Sequence, residues 1–108
     1  MFEKQSEIGY RRLTEGIEIK TLAYGERTMM VNFHLRQGHE LPCHAHPHEQ
    51  TGYLLRGHIR LALANGEVYD ALPGDSWSIP GGVEHGGEFL EDSIAIEVFS
   101  PVREDYLP

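Results

Sequence analysis

The chain is short of basic residues, of cysteine and of long apolar runs, and each shortage excludes something. Nine Lys plus Arg stand against 17 Asp plus Glu, a formal charge of −8 over 108 residues. A surface of that sign repels phosphate backbones and anionic bilayers, so neither nucleic acid nor a membrane is expected as a partner. No apolar stretch approaches the ~18 residues that a spanning helix needs. The N-terminal MFEKQSEIGYRRLTEG is mixed and polar, without the apolar core of a secretory signal, and a soluble, cytoplasmic protein is the expectation. Cys43 is the only cysteine, which rules out an intrachain disulfide and fits a reducing compartment. Beside Pro42 it reads as a small buried hydrophobe. Helical periodicity is scarce too, the one candidate being EKQSEIGYRRL near the N-terminus.

What is present is an apolar period of two. Met29, Val31, Phe33 and Leu35 share one face of TMMVNFHLR; Ile59, Leu61 and Leu63 share one face of HIRLALA; Ile94, Ile96 and Val98 share one face of SIAIEVFS. Turn signals separate such runs at short intervals, and Asn65-Gly66 is the strongest hairpin signal among them. These features predict a single all-β domain over residues 1–108, a sandwich or barrel of about eight to ten short strands, with SPVREDYLP leaving the last strand at Pro101.

Histidine is concentrated in LPCHAHPHEQTGYLLRG. His44 and His46 stand two apart, so in an extended chain both imidazoles project from one side, the arrangement by which a strand offers two ligands to one ion. Gln50 has the same parity if the chain stays extended, Glu49 the opposite one, and His48 matches but follows Pro47 in a bend. A further ligand must come from a distant strand. His85, in the Gly-rich turn GGVEHGG, is the histidine placed to do so. His34, His39 and His58 read as surface or internally satisfied groups.

The spacing of these residues resembles the cupin family. Gly38, His44, His46, Gln50 and Gly57 fall on the first cupin motif (residues 38–57), and Gly74, Pro80, Gly82 and His85 on the second (residues 74–89), with every glycine in register. Position 89 is Phe where the second motif ends in Asn. The resemblance implies a double-stranded β-helix, or jelly-roll barrel, with one divalent transition metal in its mouth, held by His44, His46, Gln50 and His85. Gln50 stands where the motif has Glu, since six residues separate it from Gly57 whereas Glu49 would need seven. Three imidazoles and an amide leave the charge of the ion uncompensated, which favours Lewis-acid chemistry on an anionic oxygen substrate. Ni, Zn, Fe and Mn all suit such donors.

In the last strand Ala95, Glu97 and Phe99 occupy the face opposite the aliphatics. If that face lines the barrel, Glu97 is a buried carboxylate near the metal with an acid/base role; if the aliphatic face does, Glu97 meets solvent. This strand and its tail, with HPHEQTGYLLRGHIRL and GDSWSIPGGVEHG, resemble the KdgF-type pectin-degradation cupins over roughly residues 29–106. The resemblance implies linearisation of 4,5-unsaturated uronates released from pectin or alginate, with Glu97, Phe99 and Arg103 as catalytic residues, Glu97 standing where Asp is usual. It implies a small anionic sugar acid as substrate and a homodimer as the assembly. A three-histidine non-heme iron dioxygenase and a non-enzymatic sugar-acid-binding module are the competing functions.

Overall fold

The computed structural model describes all 108 residues. The strands are β1 (Arg11–Thr14), β2 (Ile17–Tyr24), β3 (Met29–Leu35), β4 (Glu40–His44), β5 (Glu49–Arg56), β6 (Ile59–Leu63), β7 (Val68–Ala71), β8 (Ser76–Ile79), β9 (His85–Phe89) and β10 (Ser93–Ser100), followed by a 3-10 turn at Glu104–Tyr106. They form two antiparallel sheets, ordered β1-β2-β3-β10-β5-β8 and β4-β9-β6-β7. Ile17, Ile19, Met29, Val31, Leu54 and Phe99 of the larger sheet pack with Ile59, Ala71 and Phe89 in a single core. This is the all-β jelly roll that the alternation and the paired motifs predicted.

Strand β3 buries Met29, Val31, Phe33 and Leu35 and turns Met30 outward, as its period of two requires. Strand β10 settles the question its sequence left open: Ser93, Ala95, Glu97 and Phe99 face the interior, and Ile94, Ile96 and Val98 lie half-buried on the outer face. Lying between β3 and β5, this strand is covered on both edges, and both of its faces are apolar enough that alternation alone does not assign the inside.

The β6–β7 hairpin forms at Asn65-Gly66, but not as a two-residue loop. The Gly66 N–H bonds to the Leu63 carbonyl at 3.0 Å, Gly66 alone takes a positive φ (+84°), and Asn65 caps the turn by accepting from the Glu67 N–H at 3.0 Å. A type I turn closed by a left-handed glycine is the result.

Two expectations fail. EKQSEIGYRRL makes no helix; its last residues enter β1, an edge strand paired to β2. A helix that short is marginal by itself, whereas the ladder to β2 satisfies backbone groups at once. Cys43 is exposed rather than buried, because β4 bulges between Leu41 and His44, so that both of these face the cavity while Pro42 and Cys43 are turned out. The C-terminal segment does leave β10 at Pro101, then folds back so that Tyr106 is buried. Arg11 donates to the Asp105 carbonyl at 2.9 Å and the Thr21 hydroxyl to the Tyr106 carbonyl, which pins the tail across the mouth of the barrel.

Candidate metal centre

His44 ends β4 and His85 begins β9, and the two are direct cross-strand partners. Side chains of such a pair stand on one face, so the antiparallel register brings together imidazoles that are far apart in sequence. The chain then leaves the small sheet at His44 and enters the large one at Glu49, and His46 lies on that crossing. The ring centroids are 5.5 Å apart for His44 and His46, 4.6 Å for His44 and His85, and 4.9 Å for His46 and His85. One nitrogen from each ring lies within 4.8 Å of the others, a cluster that contains no carboxylate.

Each ring is also oriented. Nδ1 of His44 faces the Pro42 carbonyl at 3.0 Å, Nδ1 of His46 the His48 carbonyl at 3.0 Å, and Nδ1 of His85 the Val83 carbonyl at 2.8 Å. A carbonyl only accepts, so each Nδ1 carries the proton and each Nε2 is left with a free lone pair. Burial, then the positive charge of Arg103, pushes the His46 pKa down; burial, and further off the charges of His44 and Arg103, do the same for His85. Neutral imidazole is the form that binds a metal.

Gln50 is the second residue of β5 and is buried, while Glu49 before it and Thr51 after it are exposed. The chain does not stay extended between His46 and Gln50, since it bends at Pro47 and His48, yet the parity of β5 itself turns Gln50 inward. The buried Oε1 of Gln50 has no hydrogen-bond partner, and neither has Nε2 of His46. Two orphaned lone pairs in one buried site are costly unless a cation takes them. Three oriented imidazoles and that amide oxygen therefore fit a divalent transition metal such as Zn, Ni, Fe or Mn. His48 has its ring 5.5 Å from His46 but lies outside the cluster of ligand atoms.

The carboxylate of Glu97 lines the same cavity and is 8% exposed. Its Oε1 accepts from the Trp77 indole N–H at 3.0 Å and its Oε2 from the Gln50 amide at 3.2 Å. Burial raises its pKa from an ordinary 4.5 to about 7, against the opposing effect of those two donors. Phe99, 1% exposed, meets His46 edge to face at 5.9 Å. Arg103 places its guanidinium 4.0 Å from the Tyr106 ring centroid and 5.3 Å from that of Phe99, and its fork grips Asp105 through Nε at 3.3 Å and Nη2 at 2.9 Å.

Of the other histidines, His58 pairs with Asp70 at 2.9 Å and His34 stacks on Tyr10 at 4.2 Å. Sequence reasoning missed Trp77, Asp105 and Tyr106. A glycine inside the apolar strand QTGYLL was the one available sign of Trp77, since such a glycine marks close approach by another group.

The comparisons with known proteins place the chain in a family. The family model described as a cupin domain matches residues 31–100. The pectin degradation protein KdgF of Dickeya dadantii is 31% identical over 103 residues, 94% of this chain and 93% of that protein. The structure of KdgF from Halomonas sp. superposes with a TM-score of 0.92 at 33% identity, covering 99% of this chain and 100% of that one. An RmlC-like cupin from Shewanella frigidimarina superposes with a TM-score of 0.91 at 28% identity, covering 98% and 95%.

Proposed function

This chain is a KdgF-like member of the cupin family, and from that premise we propose that it opens the ring of a 4,5-unsaturated uronate derived from pectin or alginate, giving the linear 5-keto acid. The observation that carries the reading is Glu97, a buried carboxylate that touches Gln50 and opens on the cavity of the three histidines. The substrate is a cyclic enol ether with a hemiacetal at C1. Its C1 hydroxyl loses a proton, the bond from C1 to the ring oxygen breaks, and the released enolate takes a proton at C4. No atom is gained or lost, so a single group that accepts the C1 proton and returns one at C4 is enough for the reaction.

Glu97 suits that part. In the metal-free protein burial lifts its pKa to about 7, and a bound cation would favour the ionised form that accepts the C1 hydroxyl proton. Trp77 and Gln50 take one lone pair on each oxygen, so an acceptor site remains on both. Arg103 anchors the substrate carboxylate, its fork resting against the Tyr106 and Phe99 rings and already set on a carboxylate, that of Asp105. Phe99 forms an apolar wall beside His46 against which the flat unsaturated ring can lie. His44, His46, His85 and Gln50 would hold a divalent ion, which would supply Lewis acidity for negative charge on oxygen.

The test follows the ultraviolet absorbance of the conjugated enol ether in an unsaturated monouronate. Metal-loaded protein should speed its loss well above the spontaneous rate, and Glu97→Gln at saturating metal should abolish that acceleration, general acid–base help being worth about 10²- to 10⁴-fold. No acceleration by the wild type removes the reading.

A further inference from the structure

Ring opening as derived above uses Glu97 and Gln50 but gives no part to Trp77, although its indole is the other hydrogen-bond partner of Glu97. The three strands β10, β5 and β8 lie side by side, and one row across them reads Glu97, Gly52, Trp77. Strands are spaced at about 4.8 Å, so groups on the outer two are separated by a whole strand. Contact at 3.0 Å requires the middle strand to carry nothing at that position. Gly52 meets the condition: a Cβ there would come within 2.1 Å of Nε1, 2.2 Å of Cε2 and 2.5 Å of Cζ2 of the indole. The indole thus lies across Gly52 to reach the carboxylate.

We propose that Trp77 is a positioning residue: through the Glu97 carboxylate, its indole N–H fixes which end of the Gln50 amide faces the three histidines. Gln50 donates its amide N–H to Glu97 Oε2 at 3.2 Å, and an ionised carboxylate, which only accepts, holds the amide in that orientation. The opposite atom is the unpartnered Oε1. Without the indole, Glu97 loses the contact that fixes its rotamer, and the amide is free to turn its N–H₂ end, which has no lone pair to give, toward the cluster. Partners of this kind behind a ligand are typically worth about 10- to 100-fold in metal affinity. The inference rests on the reading of Gln50 as a ligand.

Trp77 is the only tryptophan, so growing the protein on benzothienylalanine replaces this one indole N–H by sulfur and preserves its shape. Zinc affinity is read by competition with a chromophoric chelator, with near-ultraviolet circular dichroism of the metal-free protein as the control for folding. The analogue should bind zinc about 10- to 100-fold more weakly than the wild type. Combined with Glu97→Gln it should add less than about twofold, because both act through one chain of contacts. In the metal-free wild type, the single indole N–H resonance should shift when Glu97→Gln is introduced. An analogue within about twofold of wild type, or full additivity with Glu97→Gln, overturns the proposal. Gln50→Ala separates the two levels. If it leaves zinc affinity unchanged, the ligand reading falls and the proposal with it; if it weakens binding while the analogue does not, the proposal falls alone.

Discussion

Replacing Glu97 by Gln in the metal-free protein isolates the cost of burying a carboxylate in this barrel. Burial lifts its pKa from 4.5 in the unfolded chain to about 7 in the folded one. A folded pKa above the unfolded value means that the native state holds the proton more tightly. The contribution to stability is therefore fully present below about pH 4.5, falls as pH rises, and is gone above about pH 7. At about 1.4 kcal/mol per pH unit, the interval corresponds to about 3 kcal/mol. Glu97 is almost fully buried, so screening by solvent does not reduce the figure much. The substituted glutamine side chain has nearly the same shape and does not titrate. Its amide also changes the hydrogen bonds to Trp77 and Gln50, but that cost does not depend on pH. Urea unfolding of both proteins between pH 4 and 8 gives the difference curve, which should change by about 3 kcal/mol in favour of the variant as pH rises. Glu97 does not itself shift His46 or His85, but Gln50 is among the groups that shift His46, so Gln50→Ala is measured alongside to account for that contribution. A curve that is flat across this window refutes the burial argument and removes the basis for Glu97 as a proton carrier near neutrality. Saturating divalent metal should move the fall to higher stability at neutral pH, since a nearby cation favours the ionised carboxylate.

Three further outcomes are expected. Arg103→Lys replaces a bidentate fork by a point charge and should raise KM for the uronate by about 10-fold with a smaller change in kcat, read from initial rates. Asp105→Asn removes the carboxylate that now occupies that fork at 2.9 Å, so KM should fall a few-fold; a rise would make Asp105 a support for Arg103 rather than its competitor. Gln50→Glu sets a second carboxylate against Glu97 across a 3.2 Å contact; the metal-free variant should lose roughly 5 °C or more in Tm at neutral pH, and a divalent metal should recover more than it adds to the wild type.

Much of the site was legible along the chain because its geometry is local. The parity of β5 puts Gln50 and Glu49 on opposite faces whatever surrounds the strand, whereas the bulge in β4 that turns Cys43 out interrupts that rule and could not be read from it. Strand β10 shows where that rule stops. Alternation says that Glu97 and Phe99 share a face, but hydropathy favours Ile94, Ile96 and Val98 for the interior, and the structure places them outside. A lumen that houses a polar site reverses the usual preference, and one strand read alone carries no trace of it.

The sequence by itself determined the all-β architecture and the opposite faces of Glu49 and Gln50, because each depends on strand period, while the choice of Gln50 as the ligand came from its register in the cupin motif. Only the tertiary structure decided that His44 and His85 are cross-strand partners, that Glu97 is buried against Gln50, and that Arg103 folds back onto Phe99 with Asp105 in its grip. Nor could the row from Glu97 over Gly52 to Trp77 be read beforehand, since it exists only once β10, β5 and β8 lie side by side in this register. Strand order and register come from closing the barrel around a common core, and that is a property of all the strands together.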